Sequence, residues 1–194
     1  PILLVQWYAG EQQGCTLADI LLGKVNPSGK LNVSFPRSTG NTPCFYNHFV
    51  TDREESFDQP GTPEEPKGHY IFDKPEPLWN FGHGKSYTTF DYVDCALSDT
   101  LLVASDTLKV SVTIKNTGRR DGKEVVLLYV RDKVSTVATP IQQLKAFQKV
   151  LIKPGESQCV ELSLPIAELA LYNAKMEEVV EPGDFEIQDR KSVV

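Results

Sequence analysis

The chain has 194 residues and a formal net charge of −6. Without a Lys/Arg cluster, that balance gives no electrostatic case for nucleic acid as a partner. No apolar run approaches the ~20 residues needed to span a bilayer, so no membrane partner is expected either. The length allows one large or two small domains, each able to hold a core.

The first block reads as strand, turn, helix, turn, strand. Ile2-Leu3-Leu4-Val5 is wholly apolar and suits a strand buried on both faces. Gly10 and Gly14 permit a tight passage from strand to helix. Leu17, Ile20 and Leu21 fall at i, i+3, i+4, one apolar helical face, and Gly23 stands where that helix would end. Pro27-Ser28-Gly29 cannot continue it. Leu31, Val33 and Phe35 then alternate with Asn32 and Ser34, the period of a half-buried strand, and Pro36 closes the run. The block is the terminal βαβ-type piece of a larger α/β layer and cannot bury its faces alone. The chain opens at Pro1 inside what reads as a core strand, so an essential part of the function is expected upstream.

Residues 39–87 form a connector. Between 52 and 76, Asp52, Glu54, Glu55, Asp58, Glu64, Glu65, Asp73 and Glu76 stand against Arg53, Lys67 and Lys74, a local balance of −5. Prolines recur from Pro43 to Pro77 without sustained periodicity, which implies an extended path over a surface. From Thr88 onward the chain becomes β. Leu108, Val110, Val112 and Ile114 alternate with polar residues, and Asn116-Thr117-Gly118 closes that strand. Val125 to Val130 is a continuous apolar run, hence a central strand. Pro154-Gly155-Glu156 makes a turn before Val160, Leu162 and Leu164 alternate again, and Phe185 and Ile187 follow Pro182-Gly183. Several short strands over about a hundred residues indicate a β-sandwich.

Three groups of residues carry a family resemblance. The first is Trp7-Tyr8-Ala9-Gly10-Glu11-Gln12-Gln13-Gly14 with Leu17-Ala18-Asp19, Asn26-Pro27-Ser28-Gly29-Lys30-Leu31 and Phe35-Pro36-Arg37-Ser38. The second is Tyr70-Ile71-Phe72-Asp73, Pro77-Leu78 and Phe81-Gly82-His83-Gly84-Lys85-Ser86-Tyr87-Thr88-Thr89-Phe90. The third is Asn116-Thr117-Gly118, Gly122-Lys123-Glu124-Val125-Val126, Gln143-Leu144-Lys145-Ala146-Phe147 and Pro182-Gly183-Asp184-Phe185. In this order they resemble the C-terminal portion of family 3 glycoside hydrolases, which include β-glucosidases and β-xylosidases. The resemblance implies a mixed fold: the terminal βαβ piece of an α/β sandwich domain (1–38), the acidic connector (39–87), and an immunoglobulin-like, fibronectin type III-like all-β sandwich (88–194). It also implies export, to a periplasm or outside the cell. The tail Asp189-Arg190-Lys191-Ser192-Val193-Val194 departs from the family's usual continuation.

Retaining glycoside hydrolysis needs two carboxylates roughly 5 Å apart. In the enzymes this chain resembles, both lie on parts that precede Trp7, and neither has a matching position here. No residue is therefore assigned as catalytic, and the chain alone is expected to be inactive. The resemblance makes the parent's partners a β-linked oligosaccharide or glycoside and the upstream catalytic domains of the same chain. Glu11, the only acidic residue in the densest motif, reads as structural, because a carboxylate beside a helix start favours the positive end of its dipole. Trp7 and Tyr8 read as packing residues, while Tyr70, in the connector, is the candidate substrate-rim contact. His48, His69 and His83 are separated by 21 and 14 residues, which matches no metal pair, so neither metal nor cofactor is expected. Cys15, Cys44, Cys95 and Cys159 follow no ligand spacing. They read as buried free thiols, with disulfides as the alternative. A competing reading is a non-catalytic module whose sandwich binds carbohydrate or protein. The sandwich region offers it few aromatics for a platform, among them Tyr129, Phe147, Tyr172 and Phe185.

Overall fold

The computed structural model describes residues 3–49, 62–65, 74 and 76–189. Among the described residues one α-helix, α1 (Gln13–Leu21), precedes eight strands: β1 (Phe90–Leu97), β2 (Thr107–Asn116), β3 (Gly122–Asp132), β4 (Gln143–Ile152), β5 (Ser157–Pro165), β6 (Leu171–Tyr172), β7 (Glu178–Val179) and β8 (Phe185–Gln188). They form antiparallel sheets in the orders β1-β2-β5 and β4-β3-β8, with β6 and β7 paired separately.

The two larger sheets bury one core between them. On β2 the alternating residues Leu108, Val110, Val112 and Ile114 are buried, and their partners Leu164, Leu162 and Val160 on β5 are buried with them. On β3, Val126, Leu128 and Val130 join the same core, with Val150 and Ile152 from β4 and Ile187 from β8. The continuous apolar run of β3 has a second cause. Leu127 and Tyr129 point to the outer face, yet they are buried as well, because the connector lies on them. A Cβ at Gly82, whose φ is +78°, would lie 2.6 Å from Leu127 Cδ1. A strand covered on both faces cannot show alternation.

The opening block departs from its expected strands. Residues 3–5 run without a ladder, and Leu3 and Leu4 are exposed. A strand is held by neighbours, and no described residues supply one beside this segment. The 31–35 segment lies antiparallel to 78–83: Leu31 N–H donates to His83 O (2.8 Å), and Phe35 N–H donates to Trp79 O (2.8 Å). Only Phe35 and Trp79 form a regular bridge. Between them the Ser34 hydroxyl takes the Phe81 N–H (3.2 Å) that a ladder would use.

Helix α1 forms where the apolar spacing places it. It ends at Gly23, whose φ of +70° and bond to Ile20 O (2.9 Å) make the left-handed stop. Its start is less well served. The cap position is Gln12, with no side-chain cap, and no acidic residue lies in the first turn. Glu11 therefore sits one residue too early to cap. No residue of α1 is buried, and Leu21 and Leu22 are exposed.

Candidate functional site at the junction of the two segments

The N-terminal segment and the sandwich meet through residues of the Asn26–Leu31 motif. Asn26 is the first tie. Its Nδ2 donates to Asp121 O (2.8 Å) in the turn before β3, while its Oδ1 accepts from Ser86 Oγ (2.8 Å) and Tyr87 N–H (2.8 Å). Arg120 reaches back from that turn, donating to Gly23 O (3.0 Å) with its guanidinium 6.0 Å from the Tyr87 ring centroid. The Tyr87 hydroxyl donates to Ile20 O (2.9 Å) and so holds α1 to the connector.

Lys30 and Glu124 lie deeper. Their 2.9 Å ion pair is nearly enclosed, with side-chain exposures of 8% and 4%. Lys30 Nζ also donates to Gly84 O (3.1 Å), and the Tyr92 hydroxyl of β1 donates to Glu124 Oε1 (3.3 Å). Backbone packs tightly beside the pair, since a Cβ at Gly84 would land on Gly29 O. Sequence reasoning placed Lys30 and Glu124 in family motifs without joining them. One signal was present: Glu124 shares the inward parity of Val126, Leu128 and Val130, and a carboxylate there requires a partner.

The aromatics sort into two groups. Trp7 leans on Phe35 (6.3 Å), Phe35 on Trp79 (5.7 Å), and Trp79 stacks over His83 (6.3 Å). Tyr46 stacks on Phe81 (4.3 Å), with Tyr129 edge-on to both. Packing thus accounts for Tyr46 and Trp79, and in part for Trp7, which stays 54% exposed. Tyr8 is fully exposed, so packing against the described residues does not account for it. Beside the second group lies a cleft of about 310 Å³, lined by Asn80, His83, Tyr129, Gln142, Gln188 and Asp189. Tyr70, the candidate rim residue, and His69 fall outside the described residues.

All four cysteines are free thiols; Cys15 and Cys159 are exposed, Cys44 and Cys95 half-buried. Burial pushes both half-buried thiols up, and the Asp189 and Asp94 carboxylates push Cys95 the same way. Among the described residues, no His/Cys/Asp/Glu group could hold a metal ion. No described helix is long and apolar enough to cross a membrane. The arrangement is thus a docking joint of hydrogen bonds and one buried ion pair, beside a polar cleft.

Comparison with known proteins gives two family matches. A glycosyl hydrolase family 3 C-terminal domain matches residues 1–87, and a fibronectin type III-like domain matches residues 124–192. A periplasmic beta-glucosidase of Salmonella typhimurium is 39% identical over 95% of this chain and 24% of its own length. A beta-xylosidase of Formosa agariphila is 40% identical over 96% of this chain and 24% of its own. Among solved structures, the beta-glucosidase of Listeria innocua in complex with gluconolactone superposes with a TM-score of 0.84 at 38% identity, covering 96% of this chain and 25% of that one. The chain spans about a quarter of the length of the curated relatives it matches.

Proposed function

This chain belongs to glycosyl hydrolase family 3, as part of its C-terminal region, and from that membership we propose that the protein is a retaining, exo-acting glycosidase of β-glucosidase type. The two catalytic carboxylates come from upstream domains of the same chain, where one attacks the anomeric carbon and the other serves as acid and then base. The present residues act as scaffold: 1–38 complete an α/β layer, 39–87 cross its surface, and 88–194 form a sandwich held against the catalytic body.

The observation that carries this reading is the uncovered apolar surface of the N-terminal segment. Leu3, Trp7, Tyr8, Leu21 and Leu22 are exposed on the very piece that matches the family's C-terminal domain. An apolar face of that kind needs a cover, and the upstream α/β layer is the one the family match supplies. The substrate is a β-linked glucoside, with β-xylosides as the nearest competitor, since both names occur among the relatives. Periplasmic or extracellular location is part of the same proposal, supported by the Salmonella relative's name. Tyr70 is proposed as a rim contact to the sugar.

The test uses the protein with its upstream region, assayed on aryl β-glucosides and β-xylosides, beside residues 1–194 alone. Hydrolysis by the longer protein only is expected. Inactivity of the longer protein on every such substrate would sink the glycosidase reading, and turnover by 1–194 would overturn the placement of the carboxylates. The binding-module reading is weaker. Tyr129 is buried and Phe185 half-buried, which leaves Phe147 on β4 and Tyr172 on the separate β6 as exposed aromatics. They stand on different sheets.

A further inference from the structure

A buried ion pair is a poor stabiliser. Removing two charges from water costs about what their attraction returns, and apolar replacements of similar volume are often neutral or better. The Lys30–Glu124 pair therefore needs another reason to sit with 8% and 4% of its side chains exposed. Direction supplies one. Apolar contacts tolerate sliding, whereas an ammonium bound to stated acceptors does not.

Among the described residues, Lys30 binds acceptors on two different segments, Glu124 Oε2 of β3 (2.9 Å) and Gly84 O of the connector (3.1 Å). Glu124 is itself held from the opposite sheet by Tyr92 (3.3 Å). One cluster thus fixes the N-terminal segment against the connector and both sheets. A displacement by one residue would leave a buried carboxylate without its cation. The other hydrogen bonds that run directly from this segment to the sandwich, Asn26 to Asp121 O and Arg120 to Gly23 O, are exposed and exchange readily with water. The backbone bonds of Leu31 and Phe35 reach only the connector.

We propose that Lys30 and Glu124, backed by Tyr92, are positioning residues that hold the N-terminal segment in a single orientation on the sandwich, a role separate from stability. The inference does not depend on the glycosidase reading, and its test is made on residues 1–194. Two exposed thiols report on it: Cys15 on α1 and Cys159 on β5. Nitroxide labels at these sites, with Cys44→Ser and Cys95→Ala in the background, give the α1-to-sandwich distance distribution by double electron–electron resonance.

The unaltered pair should give one narrow maximum. The apolar pair Lys30→Met with Glu124→Leu should keep the urea midpoint and lose that single maximum. The exchanged pair Lys30→Glu with Glu124→Lys should regain much of it. An unchanged narrow distribution in the apolar pair overturns the proposal. So does a collapse of its urea midpoint or a failure to fold, since the ion pair would then be a stabiliser.

Discussion

Replacing Asn116 by Ala should cost this chain about as much as losing a large core side chain. Asn116 closes β2 with no solvent exposure. Its Oδ1 accepts from Thr88 Oγ1 (2.7 Å) and Gly118 N–H (3.1 Å), and its Nδ2 donates to Arg120 O (2.8 Å) and Ile152 O (2.8 Å). The full capacity of the amide is in use, tying together the entry to β1, the turn after β2 and the end of β4. Truncation strands four groups. The Thr88 hydroxyl can rotate, and water can reach Arg120 O, so the cost falls on Ile152 O and Gly118 N–H. At roughly 1–3 kcal/mol for each buried group left unpaired, the total is about 3 kcal/mol. With a urea slope of about 2 kcal/mol/M, the midpoint should fall by roughly 1.5 M. Far-UV circular dichroism is the suitable probe, because it reports on the strands. Asn116→Asp should be worse, by about 3–5 kcal/mol relative to the parent, since a carboxylate oxygen would face two carbonyl oxygens in the core. A midpoint shift below about 0.3 M for the alanine variant would refute the reasoning, given the usual cost of an unpaired buried group. Equal stability of the Asp and Ala variants would refute the assignment of donors.

Four further outcomes follow from the structure. Gly84→Ala puts a methyl on Gly29 O and 3.0 Å from Lys30 Cδ, so it should lower Tm by roughly 4–8 °C, for an overpacking cost of about 2 kcal/mol. Gly14→Ala, with nothing within 4 Å and a place in α1, should leave Tm unchanged or raise it. With a disulfide-exchange reagent near pH 8, Cys15 and Cys159 should react first. Cys44 and Cys95 should lag and gain most as pH rises, because burial raises their pKa and lowers the thiolate fraction. Four equally fast thiols would contradict the structure. Desolvation pushes the Asp132 carboxyl up; the Val134 N–H partly offsets the rise, and Glu181 adds to it. The folded state then binds that proton more tightly than the unfolded one, so this residue's contribution to stability falls as pH rises from the ordinary value of 3.8 through the raised one. Asp132→Asn should remove this slope above pH 3.8, and an identical pH profile in the variant would reject it.

What could be read from the chain in one dimension was the set of faces. Leu108 to Ile114 and Val160 to Leu164 alternate because each strand covers one side of a single core, and that period is local. Gly23 and Pro154-Gly155 marked stops for the same reason: a left-handed φ or a turn is a property of a few neighbouring residues. The motifs from Trp7 to Phe185 identified the family. Partnerships were decided elsewhere. Lys30 and Glu124 are 94 residues apart, and no periodicity relates them; the sandwich topology brings them together. The Ser34 hydroxyl interrupts the ladder that Leu31, Val33 and Phe35 would otherwise suit, a competition visible only once Phe81 lies opposite. The apolar run at Leu3-Leu4-Val5 shows the converse. Its composition suits a strand, but a strand exists only with neighbours to bond, and in this chain none of the described residues stands beside it. Local chemistry assigned each residue a face, and the three-dimensional path of the backbone chose what that face meets.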